Sequence, residues 1–87
     1  MGERKLKEVG TVIHYFTKIG VAIVELSDTL SVGDRILIRG ATTNVEQEVN
    51  SMQIEHESVE IAEAGQSIGL KVSDRVRESD VVYKLLP

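Results

Sequence analysis

His14 and His56 are the only imidazoles in this 87-residue chain, and they bound what acid–base or nucleophilic chemistry it could perform. A serine or threonine nucleophile works only beside an oriented base. His14 stands inside a β-branched and aromatic run, where a lone histidine is ordinarily a surface residue. His56 lies in Glu55-His56-Glu57, a carboxylate-rich setting that could hold a metal. Consecutive residues of a strand point to opposite faces, however, which would separate the three side chains. There is no cysteine, so thiolate chemistry and cysteine metal sites are excluded. The phosphate-cradling patterns GxxxxGK[ST] and GxGxxG are also absent. The expectation is a chain with no catalytic residue, no metal, no cofactor and no nucleotide site, and therefore not an enzyme by itself.

Charge offers a different chemistry, that of binding. The net charge is −4, but no Lys or Arg occurs between Arg39 and Lys71. That interval carries Glu46, Glu48, Glu55, Glu57, Glu60 and Glu63, which alternation on a strand would place on a solvated face. Arg35, Arg39, Lys71, Arg75 and Arg77 are the candidate contacts for phosphate or carboxylate groups. Against that reading, Asp74, Glu78 and Asp80 stand close enough to Lys71, Arg75 and Arg77 to pair with them as surface ion pairs, which is the expectation here. Tyr15, Phe16 and Tyr83 are the only aromatics, and at least one is expected in the core. That leaves little for a stacking platform.

The elements that must position these residues read as strands. Short apolar clusters and period-two alternation prevail, and there is no helical stripe. Strands are expected over 9–16, 21–26, 35–39, 67–72 and 81–85. A long polar–apolar segment, 43–57, changes phase between Val49 and Met52 and should bend there. Residues 59–64 fit either a short strand or a helical turn, and 73–80 read as a charged loop. Six or seven short strands at this spacing suggest a sandwich or barrel. Closure is favoured because it removes exposed edges.

One domain spanning 1–87 fits the length, with 1–7 as a flexible lead. The opening residues read as neither a signal peptide nor a membrane anchor. The absence of cysteine and of any long apolar stretch places the chain in the cytoplasm, with no membrane partner. Few Asn and Gln and short loops lean toward a thermophile. A closed barrel would need no partner to cover its edges, so a monomer is expected.

Four stretches resemble a known family. They are Leu30-Ser31-Val32-Gly33-Asp34-Arg35-Ile36, Val49 to His56, Ala64-Gly65-Gln66-Ser67-Ile68-Gly69-Leu70, and Val76 to Val82. Their order and spacing are similar to the second domain of translational GTPases, namely elongation factor Tu and initiation factor two. The resemblance implies an all-β, closed six- or seven-stranded antiparallel barrel of the translation-protein domain-2 type. Gly33 and Gly65 are expected at turns where positive φ or a tight bend is cheap. It also implies that two positions facing the end of tRNA fall on Gln53 and His56, where the family's acidic and basic charges are not matched. The family usually has glycine where this chain has Ser79. A second string, His14 to Ala22 together with Ser51 to His56, resembles the C-terminal barrel of collagenase-like peptidase-family proteins, which are associated with RNA hydroxylation. The 87 residues hold no counterpart of that family's catalytic domain.

Two functional expectations follow. The first is a stand-alone binding module docking on RNA (tRNA or the ribosome) or on a protein, through Arg35, Arg39, Lys71, Arg75 and Arg77 with Gln53 and His56. The second is an accessory subunit supplying a missing barrel to a separately encoded RNA-modifying or peptidase-like enzyme.

Overall fold

Alternating burial along successive short segments organises the chain into strands. The computed structural model describes residues 5–86. Ten strands follow in order: β1 Lys5–Phe16, β2 Val21–Leu26, β3 Leu30–Ser31, β4 Arg35–Arg39, β5 Asn44–Glu48, β6 Met52–Ile54, β7 Glu57–Val59, β8 Ile61–Ala62, β9 Ser67–Lys71 and β10 Val81–Leu86. There is no helix among the described residues. Residues 5–7, expected as a flexible lead, belong to β1, where Lys5 pairs with Leu86 and Lys7 with Lys84. Residues 1–4 lie outside the described part.

Eight strands form one antiparallel sheet in the order β5-β4-β10-β1-β2-β9-β6-β7, and β3 and β8 form a separate pair. The sheet curls around one core that draws Val9 and Val12 from β1, Val24 from β2, Ile36 and Ile38 from β4, Leu70 from β9 and Val82 from β10. All of these are aliphatic. Tyr15 packs on the core only from its edge, and Phe16 is exposed. Two irregularities bend β1, at Val9 against β10 and at Ile13 against β2. Such extra residues increase local twist.

The expected closed barrel is not what forms. Closure would need the end strands β5 and β7 to share a ladder, and both remain edges. The reason lies at Val49, where the chain leaves β5 by exchanging backbone hydrogen bonds with Gly33 and Asp34. Just before that point a side chain of β5 reaches β9 and the residues that follow it. The Gln47 amide donates to the Lys71 carbonyl at 2.9 Å and accepts from the Ser73 N–H at 2.7 Å. The residue that completed the period-two apolar phase Val45-Gln47-Val49 thus points inward as that phase requires, but acts as a polar clasp.

The 43–57 segment is broken where the phase changes, and it does not run through to Glu57. β6 and β7 make a hairpin in which Ile54 pairs with Glu57. Glu55 and His56 form its two-residue tip at φ 50° and 66°. Both central residues at positive φ is the geometry that normally selects Asn-Gly, so a Glu-His tip gives no local signal of itself. Within residues 59–64, Val59 ends β7 and Ile61–Ala62 form β8, with a bend at Glu60 and a turn beginning at Ala64. Gly33 and Gly65 do have positive φ, 97° and 89°.

Candidate functional site

The β1–β2 hairpin divides two surfaces. Its loop, Thr17 to Gly20, is closed by the Gly20 N–H on the Phe16 carbonyl at 2.9 Å. Tyr15 and Phe16 precede it on opposite faces, as strand alternation dictates. Phe16 lines a groove with Ile19, Val21, Ile23, Gln53 and His56. Tyr15 lines a cleft with Thr17, Arg75, Val76, Arg77 and Glu78.

The groove is the apolar surface. Phe16 is 43% exposed and Ile19 57%, an unusual pairing of large apolar side chains at one turn. His14 stacks edge-on to Phe16, with centroids 4.5 Å apart, and its Nδ1 lies 3.4 Å from Glu78. Gln53 and His56 are brought together here. The reading of Glu55, His56 and Glu57 as one strand is corrected by the tight turn. Among the described residues no cluster of three metal-binding side chains exists.

The cleft is the basic surface. The loop between β9 and β10 is held rigidly in place. The Val72 N–H donates to the Gly20 carbonyl, the Ser79 N–H to the Val12 carbonyl, and the Val12 N–H to the Asp80 carbonyl. Val76 is buried in the core between Arg75 and Arg77, both exposed. Among the described residues, the expected ion pairs of Lys71, Arg75 and Arg77 with neighbouring acids are not made. Asp74 accepts from the Arg75 backbone N–H at 2.7 Å, and Asp80 from the Arg77 backbone N–H at 2.8 Å. Glu78 faces His14. Short acidic side chains reach their own loop's backbone more easily than a guanidinium two bonds further out. Ser79 takes φ 76°, so the turn keeps the conformation usual for glycine despite the serine.

The remaining candidates separate. The Arg35 guanidinium donates to Glu46 at 3.0 Å across the β4–β5 pair. Lys71 donates to the Ile19 carbonyl at 2.6 Å and so buttresses the β1–β2 loop. Arg39 lies beside Asn44, which also lines a second cleft with Thr42, Thr43, Arg75 and Arg77. The six glutamates of 46–63 are all exposed. Ile19 and the Thr42–Asn44 polar run were not singled out from sequence, and Tyr15 only as one of the three aromatics. An apolar residue inside the turn Thr17-Lys18-Ile19-Gly20 was the available signal for Ile19.

Fold and surface together define an open, antiparallel, all-β domain that exposes an apolar groove and a cleft lined by two arginines. It has the fold of the C-terminal domain of a Geobacillus thermoleovorans protein described as a U32 peptidase. The crystal structure of that domain superimposes with a TM-score of 0.82 at 22% identity, covering 87% of this chain and 89% of the other. A selenomethionine form gives 0.83 at 20% identity, covering 87% and 96%. In sequence, the chain is 49% identical over 79 residues to an uncharacterised protease of Methanocaldococcus jannaschii, covering 90% of this chain and 19% of that one. It is 42% identical over 83 residues to a collagenase of Porphyromonas gingivalis, covering 93% of this chain and 23% of that one. The chain thus spans about a fifth of the length of the curated relatives it matches. No protein-family profile matches it. These similarities support the peptidase-family resemblance and not the translation-factor one. No helix among the described residues is long and apolar enough to cross a membrane.

Proposed function

We propose that the chain is a non-catalytic accessory domain of a peptidase-like enzyme, positioning that enzyme or its substrate while another domain carries out the reaction. The carrying observation is the match of 90% of this chain to only 19% of a protease. The relatives have most of their length elsewhere for catalysis, while this segment carries exposed surfaces. The Phe16–Ile19–His56 groove is the contact face, because an apolar patch at a turn is covered most economically by a partner domain. A segment exchange tests the reading. The matching stretch of the Methanocaldococcus jannaschii protein is replaced by this chain, and the chimera is compared with a version lacking the stretch. The chimera should regain the stability and activity of the intact protein. A chimera no better than the truncation contradicts the reading.

A further inference from the structure

We propose that the groove beside Gly69 is a socket for one large apolar side chain, carried on a short basic segment of the partner enzyme. This rests on the accessory reading and specifies what the groove accepts. Ladder partners share a face of the sheet. Phe16 pairs with Val21, Ile23 with Gly69, and Gly69 with Gln53. The row Ile23-Gly69-Gln53 therefore lacks a side chain at its middle position, and that gap is the floor of the groove. Phe16, Val21 and Ile23 stand on one side of it, Gln53 and the Glu55-His56 tip on the other.

Backbone geometry does not demand this glycine. Gly69 is not among the positive-φ residues, and the β2–β9 register runs through it without a shift. A Cβ there would meet the Val21 Cγ1 at 3.6 Å, the Gln53 carbonyl at 3.9 Å and the Ile23 Cδ1 at 4.0 Å, all ordinary contacts. With bulge and bend excluded, an interior strand glycine marks the close approach of another group. The groove holds about 260 Å³, below the roughly 300–1,000 Å³ of small-molecule sites, so it suits a side chain better than a cofactor. Its upper wall is fixed beforehand. The Gly20 N–H closes the loop on the Phe16 carbonyl, the Val72 N–H donates to the Gly20 carbonyl, and the Lys71 ammonium donates to the Ile19 carbonyl at 2.6 Å. Little ordering entropy remains to be lost on docking.

Charge selects the segment. The lining includes the Glu55 carboxylate and no Lys or Arg. Ser67 also lines the groove, and its ladder partner is the exposed Glu25. Among the described residues neither carboxylate has an ion-pair partner. An apolar floor with acids at one end is complementary to an apolar anchor flanked by Lys or Arg. A second copy of this chain would bring a net charge of −4 to that acidic rim, so it is the alternative outcome of the test.

The experiment begins with overlapping peptides tiled across the part of the Methanocaldococcus jannaschii protein outside the matched stretch, and across this chain itself. They are arrayed and exposed to the fluorescently labelled whole chain. Bound peptides should come from the relative and carry a large apolar residue beside Lys or Arg. The strongest is then titrated by fluorescence anisotropy against the parent, G69V, E25K/E55K and E60K/E63K. G69V should weaken binding by about tenfold or more, the worth of burying one large side chain. E25K/E55K should weaken it by about fivefold and flatten its salt dependence. E60K/E63K reverses exposed acids outside the groove and should change it by less than about twofold. Melting temperatures show which variants are folded, and G69A, with one added carbon at ordinary contact distance, replaces G69V if needed. No bound peptide, binding only to this chain's own peptides, bound peptides without basic residues, or undiminished affinity in folded G69V or E25K/E55K each overturns the socket. The chimera that tests the accessory reading needs no linear segment, so it can regain activity even where the socket fails.

Discussion

The two faces of the β1–β2 hairpin are built on opposite physical plans. On the Phe16 side an apolar groove ends in a hairpin tip that stores backbone strain, with Glu55 and His56 at φ 50° and 66°. On the Tyr15 side a loop is saturated with hydrogen bonds around the buried Val76, and its arginine side chains remain without acid partners. The first surface loses water by burying carbon. The second retains charge and a fixed shape. The two faces therefore differ in chemistry, one offering carbon to bury and the other charge.

The largest expected effect comes from removing what fixes the basic side. Val76→Ala should cost about 2–3 kcal/mol in denaturant unfolding, because it hollows a fully buried position. A loss under about 0.5 kcal/mol would show that Val76 does not anchor the loop. Next is the clasp between β5 and β9. Gln47→Ala removes hydrogen bonds to Lys71 and Ser73 and should cost about 2 kcal/mol, read as a shift in the urea midpoint. A change under about 0.5 kcal/mol would mean that the sheet edge does not need that bridge.

The apolar side predicts the opposite sign. Glu55→Asn with His56→Gly supplies the residues that a two-residue turn of this geometry favours. It should stabilise the domain by about 1 kcal/mol. Loss of stability in that double variant would show that Glu55 and His56 make contacts worth more than the strain. The smallest effect lies away from both faces. Lys7 meets Asp28 at 2.7 Å, and its hydrogen bond, with that of the Thr29 N–H, lowers the Asp28 carboxyl below its ordinary 3.8. A depressed folded-state value means stabilisation present above 3.8 and lost as pH falls through the lower folded value. The melting temperature of Lys7→Met should therefore trail the parent's slightly at neutral pH and converge with it in acid. A gap that persists in strong acid would point to packing by the Lys7 stem instead.

Much of the strand pattern was legible because alternation is a local signal. Val45, Gln47 and Val49 all point inward as their phase demands, and Arg35–Arg39 is a strand to the residue. What was not legible depended on partners distant in sequence. Whether β5 meets β7 is decided by the hydrogen bonds of Val49 with Gly33 and Asp34, which no period reveals. The tip at Glu55-His56 was hidden because its residues are not turn formers. At the basic surface the residue types were visible, but charge spacing alone suggested neutralised arginines. Only the backbone hydrogen bonds of Asp74 and Asp80 show where those carboxylates go.

The most direct measurement is sedimentation equilibrium of this chain mixed with the portion of a peptidase-like relative that lies outside the matched segment. The parent chain and a Phe16→Asp/Ile19→Asp variant are compared, neither position being in the core. An accessory domain docking by its apolar groove predicts a one-to-one complex with the parent and none with the folded variant. Independent sedimentation of the parent chain, or equal association by the variant, contradicts it.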